Sequence, residues 1–127
     1  MKNVQGIYNS KVKSIAGALN SIQSKDVIFV AQAGAEPMAL LDELHTISAN
    51  GITGVELQNC LPMKNYEFIN NPQYKHNIFV HGWYFTKALR DAQKRGNATC
   101  TPQHAHIAVW KKLHGIQGRR KVLFTTC

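Results

Sequence analysis

Residues Val27 to Gly51 carry the clearest pattern of apolar and polar positions in the chain. Val27-Ile28-Phe29-Val30-Ala31 is an unbroken apolar run rich in β-branched residues. A strand buried on both faces has that composition. Gln32-Ala33-Gly34-Ala35-Glu36-Pro37 follows, small and permissive enough for a ligand to approach the backbone. Pro37, Leu40, Leu41, Leu44 and Ile47 then recur at helical spacing on one face, and Gly51 can supply a left-handed terminal residue. The pattern predicts a strand, a tight turn and a helix from about Glu36 to Asn50, with Leu40, Leu41 and Leu44 mostly buried. In parallel α/β sheets, ligands sit at such a turn, beyond the carboxyl end of the strand.

The remaining chain is read in the same way. Residues 1–13 alternate little and read as an irregular arm; Ser14 then caps a short helix carrying Ile15, Leu19 and Ile22. A second strand is expected over Ile52 to Leu57. Asn59 to Tyr74 has no clean period and contains turn formers, so it reads either as a functional loop or as a surface excursion with one helical turn at Asn65 to Ile69. His76 to His81 is the third strand, followed by a turn at Gly82 and a helix carrying Phe85, Ala88, Leu89 and Ala92 that Gly96 ends. Ala98-Thr99-Cys100 is a short fourth strand. Thr101 and Pro102 start a helix running to about His114, and Val122 to Thr126 is the fifth strand. The alternation predicts a three-layer α/β fold, a largely parallel sheet with flanking helices, in one domain over 1–127. The last strand runs into Cys127 without a helix after it, which points to a fragment or to a chain that needs a second one.

Composition narrows the class. Of 127 residues, 44% are hydrophobic and 17% charged, as in a globular protein. No apolar window long enough for a membrane span occurs, and the first residues lack a signal-peptide core. Cys60, Cys100 and Cys127 are odd in number and far apart, which fits a cytoplasmic protein with free thiols. The formal net charge of +8 raises nucleic acid as a partner. Against it, Lys111, Lys112, Arg119, Arg120 and Lys121 hold a third of the 15 basic residues and no nucleic-acid motif accompanies them.

Three patches in order resemble one family. They are Tyr8-Asn9-Ser10-Lys11-Val12-Lys13-Ser14; the strand followed by Ala35-Glu36-Pro37-Met38-Ala39-Leu40-Leu41-Asp42-Glu43-Leu44; and Phe79-Val80-His81-Gly82 with Lys87-Ala88-Leu89, Arg95-Gly96-Asn97-Ala98 and Thr101-Pro102. Together they resemble the N-terminal part of the acetyl-CoA hydrolase/transferase family, of the 4-hydroxybutyrate CoA-transferase kind. The resemblance implies a longer chain of two α/β domains that moves CoA between an acyl-CoA thioester and a short carboxylic acid of the 4-hydroxybutyrate or acetate class. It implies a glutamate nucleophile and a glycine-rich oxyanion loop in the second half of that longer chain. No glutamate here stands in that motif, so no catalytic residue is carried over. No bound cofactor is implied; the coenzyme A thioester is substrate of the full-length enzyme. The isolated chain is expected to be inactive, with the C-terminal domain as its missing partner and a homo-oligomer as a further expectation, through Phe124 and the helix carrying Trp110.

Several residues qualify as one wall of a substrate pocket. Gln32, Ala33, Gly34, Ala35 and Glu36 at the first turn can hold a carboxylate through backbone N–H groups, or can simply let helix and sheet pack. Glu36 can also serve only the positive end of the helix. His81 and Gly82 end the third strand, where Gly82 is either a wall of the same cleft or a turn glycine. His104-Ala105-His106 lies at a helix start, where positions two apart diverge, so no metal site is expected. Cys100 reads as a packing residue. The alternative to the enzyme part is a small basic α/β module that binds an anionic ligand or nucleic acid.

Overall fold

Strand β1 (Val27–Val30) has all four side chains buried. In this computed structural model, which describes residues 3–115 and 118–126, the strand lies inside a five-stranded sheet. The other strands are β2 (Val55–Asn59), β3 (Ile78–Gly82), β4 (Ala98–Cys100) and β5 (Lys121–Phe124). Their order is β4-β3-β2-β1-β5 and every pairing is parallel. β1 is thus interior, with β2 at the geometric centre. The chain steps outward from β1 to β4 and then returns to the other side of β1. With right-handed crossovers, that reversal puts connecting helices on both faces.

The two layers follow. On one face Ile28, Val30, Leu57, Ile78 and Val80 pack with Leu41, Leu44, Ile47, Phe68 and Leu89 in the main core. Its helices are α2 (Ile15–Leu19), α3 (Met38–Asp42), α4 (Glu67–Asn70) and α5 (Lys87–Arg95). On the other face α6 (Ala105–Gly115) brings Ala108 onto Cys60 and Trp83. The fold is therefore a three-layer α/β arrangement on an all-parallel sheet. Among the described residues, no helix is long and apolar enough to cross a membrane.

Local chemistry sets the boundaries. Ser14 caps α2 by accepting from the Gly17 N–H at 3.1 Å. Thr86 caps α5, and Gly96 ends it at φ +81°, a left-handed conformation in which a side chain would be strained. Gly82 has a different role: a Cβ there would lie 2.3 Å from Leu89 Cδ1, so its bare backbone is what lets α5 approach β3.

Some expectations need correcting. Residues 1–13 are not an irregular arm: Val4–Lys11 form α1, an exposed helix capped by Asn3, whose side chain accepts from the Gly6 N–H at 2.8 Å. The long helix after β1 is a 3-10 turn at Ala33–Ala35, the short α3, and a 3-10 helix at Leu44–Asn50 that Gly51 ends at φ +70°. The apolar stripe survives the change, since Leu41, Leu44 and Ile47 are buried, but Leu40 is only partly so. β2 starts and ends later than Ile52 to Leu57, because it includes the buried Gln58 and Asn59. α6 starts at Ala105 rather than after Thr101, with His104 accepting the Ala108 N–H at 3.0 Å. Cys100 is partly exposed, while Cys60 is buried. Phe124 is covered by the chain itself, while Leu123 and Trp110 are exposed. Cys127 lies outside the described residues.

Leu41→Ala should destabilise the chain by about 2–5 kcal/mol in urea unfolding, because Leu41 is fully buried. A loss below about 0.5 kcal/mol, the scale of surface changes, would put that helical face in solvent. Gly82→Ala should cost about 1–3 kcal/mol as Leu89 is forced off its packing, and Leu89→Ala in the same chain should relieve part of that cost.

Candidate functional site

The sheet order changes direction between β1 and β5, and in open α/β sheets ligands bind in the crevice at the carboxyl ends of strands flanking such a point. The residues at this place are those of the first turn. The Ala31 N–H donates to the Phe124 carbonyl at 2.8 Å, and the Thr126 N–H donates to the Ala35 carbonyl at 3.0 Å. The turn after β1 and the chain leaving β5 are thereby laced into one rim. Gln32, Ala33 and Gly34 are exposed on it. Ala33 has φ +51°, a left-handed conformation that costs a non-glycine residue about 1–2 kcal/mol. Backbone strain of this kind concentrates at functional sites. A Cβ added at Gly34 would meet nothing within 4 Å, so the space beside it is open.

Glu36 does not face that space. It is 3% exposed, and its carboxylate accepts from the Met63 N–H at 3.2 and 3.3 Å and from the Tyr66 hydroxyl. Lys64 adds a salt bridge to Asp42 on α3 at 2.7 Å. Glu36 therefore fastens the segment between β2 and α4 to the turn after β1, and its carboxylate is committed to that anchor. The Asn59–Tyr74 stretch, aperiodic in sequence, is held in place by these contacts rather than left as a free loop.

His81 and Gly82 lie at the same carboxyl edge, but β2 stands between them and β1, which is about 10 Å across two strand spacings. The His81 imidazole Nε2 is 3.5 Å from the Glu56 carboxylate, which also pairs with Arg119. The structure thus assembles the first-turn residues into a rim and places His81 on the α6 side, with Gly82 against Leu89. His104 and His106 have ring centroids 5.9 Å apart, and among the described residues no group of three or more metal-ligating side chains occurs.

Sequence reading missed Gln58, Asn59 and Gln103. Among the described residues, all three have buried side-chain nitrogens with no hydrogen-bond partner, as has the Trp83 indole. For Gln58 and Asn59, the available signal was the alternation Val55-Glu56-Leu57 running on into them.

Burial, and after it the hydrogen bond to Glu36, push the Tyr66 phenol far above its ordinary 10.0. A raised folded-state value means that the unfolded chain loses this proton first. The stability Tyr66 supplies is complete below about pH 10 and falls as pH rises beyond it. Tyr66→Phe leaves the buried carboxylate short of a donor and should cost about 1–3 kcal/mol at neutral pH. In denaturation followed across pH, the variant should also show a shallower alkaline decline. Some decline persists, because burial raises the Cys60 thiol above its ordinary 9.0 as well. An unchanged alkaline profile would remove Tyr66 from the anchor.

No protein-family model matches this chain, and no curated protein matches it. Among solved structures it is similar to RipA from Yersinia pestis, with TM-score 0.76 and 20% identity over 90% of this chain. A single-residue variant of RipA gives TM-score 0.77 and 21% identity over the same share. The chain spans 28% of the length of these structures. At this identity the likeness shows a common fold.

Proposed function

We propose that this chain is the first domain of a CoA-transferase or acyl-CoA hydrolase and forms the wall that receives a short carboxylate. The observation that carries the reading is the strained, open turn at Ala33 and Gly34, located where the sheet order reverses. The Ala35-Glu36-Pro37 patch of the family resemblance falls on that same turn, which supports the reading. In it, Gln32 to Ala35 present backbone to the substrate, and Glu36 holds the turn in shape through Tyr66 and Met63. Glu36 is not the nucleophile, because a buried carboxylate already accepting these donors is neither exposed nor oriented to attack a thioester. The glutamate that the chemistry needs belongs to the second domain, with the coenzyme A thioester as substrate.

The charge-based alternative loses part of its support. Arg119 donates to the Glu56 carboxylate and to the carbonyls of Lys25 and Gly54, and Arg120 pairs with the buried Asp26. These two cations of the C-terminal basic cluster are engaged in ion pairs and carbonyl contacts within the chain, which leaves less of the cluster's charge for a phosphate backbone.

In amide NMR spectra of the labelled protein, sodium butyrate should shift the signals of Gln32 to Glu36 and Thr126, and a DNA duplex should not. Shifts that avoid this turn, or that follow only the duplex, would overturn the reading. With acetyl-CoA and short carboxylates the chain alone should show no turnover. Turnover that survives repurification would place the chemistry in this chain, and Glu36→Gln would then be the first variant to assay.

A further inference from the structure

α1 buries none of its eight residues. Val4, Ile7 and Tyr8 fall three and four apart, so they share one face of it, and they are 73%, 49% and 62% exposed. The opposite face is polar, with the Gln5 amide donating to Asn9 Oδ1 at 2.9 Å. Isolated helices shorter than about 12–15 residues are marginal in water and draw their stability from packing an apolar face. α1 has such a face with nothing packed on it. Directly after α1 comes a groove of about 560 Å³, lined by Ser14, Ile15, Ala16 and Leu19 on one side and by Glu43 and Thr46 on the other. Leu19 is buried at its base, and Ile15 is 39% exposed at its rim. The chain has no acidic residue before Asp26, so α1 and its connection carry Lys11 and Lys13 and no carboxylate. The groove has the opposite sign. Glu43 is exposed, and among the described residues its carboxylate makes no ion pair, while its neighbour Asp42 is already paired with Lys64.

We propose that two copies of this chain exchange α1. Each lays Val4, Ile7 and Tyr8 into the α2 groove of the other and brings Lys11 and Lys13 beside its Glu43. The two surfaces are complementary: the helix is convex, apolar and cationic, and the groove is concave, apolar and anionic. Exchange of one identical element gives a closed two-fold pair, in which both grooves are filled and neither α1 is left over. The connection between α1 and α2 is only Val12, Lys13 and Ser14, with Val12 and Ser14 extended. Short hinges of this kind invite exchange between copies. The pairing uses neither Phe124 nor Trp110, and it does not depend on the carboxylate reading.

Sedimentation of the 127-residue chain should show monomer giving way to dimer as concentration rises, with no larger species. Ile7→Asp puts a charge on the apolar face and should remove the dimer. Glu43→Lys should weaken the dimer about tenfold, since each groove then faces like charge, and high salt should narrow the difference. A second variant carrying Lys11→Glu and Lys13→Glu should weaken it to a similar degree. An equimolar mixture of the two charge variants should recover a dimer holding one copy of each, because every α1 then meets a groove of opposite sign. That recovery also shows that both variants are folded. A chain that stays monomeric at every concentration overturns the inference, as does a dimer that Ile7→Asp leaves unchanged. Charge variants that pair no better mixed than apart would mean that α1 does not sit against Glu43 of another copy, and the inference falls. Binding of the monomer to anionic lipid vesicles, with no dimer formed, would assign α1 to a membrane surface and overturn it as well.

Discussion

The pairing of β5 with β1 is the constraint on which the rest of the arrangement depends. Without it the sheet would run in one direction from β1 to β4, and β1 would be an edge with no crevice beside it. Two arginines fix the pairing at its start. Arg120 pairs with Asp26, which is almost wholly buried, and Arg119 reaches the Lys25 carbonyl and the Glu56 carboxylate. Removing Arg120 would leave the Asp26 carboxylate buried with only the Gln23 N–H at 2.8 Å to satisfy it. The far end of the pairing, at Ala31 and Thr126, is where the candidate rim forms. One register therefore connects the ion pairs at the amino edge to the site at the carboxyl edge.

Two buried polar groups stand at that edge, one on each face. On the α3 side, Glu36 binds Tyr66 and Met63 and closes the space behind the turn. On the α6 side, Gln58 and Trp83 are buried without partners. A satisfied buried network stiffens a fold, and an unsatisfied one is costly unless something completes it. The contrast sets a satisfied buried network on one face beside unsatisfied polar atoms on the other.

What could be read in the sequence follows physical lines. The β1 run, the stripe through Leu41, Leu44 and Ile47, and the terminal Gly51 and Gly96 were legible because burial and backbone handedness act through local spacing. β4 was legible for its position between a helix end and a Thr-Pro pair. The helix α1 was not, because it buries nothing and its apolar period runs for only eight residues. The end of β2 was hidden because Gln58 and Asn59 look like loop residues, although both are buried. The role of Gly82 was hidden as well, since the side chain a Cβ there would meet is Leu89, seven residues further on in α5. The candidate site divides in the same way: the turn after β1 is a local motif, whereas its lacing to the end of β5 comes only from tertiary register.

The order of the strands also has a consequence for how the chain is made. Asp26 and Arg120 are 94 residues apart, so β1 leaves the ribosome long before the strand that pairs with its outer side. At about 5–20 residues per second, that edge stays open for roughly 5–20 s. During that interval an apolar strand with unpaired N–H and C=O groups is a template for any neighbouring nascent chain. Lys25 and Asp26, at the head of β1, put charges next to the exposed run and act as its gatekeepers until β5 arrives.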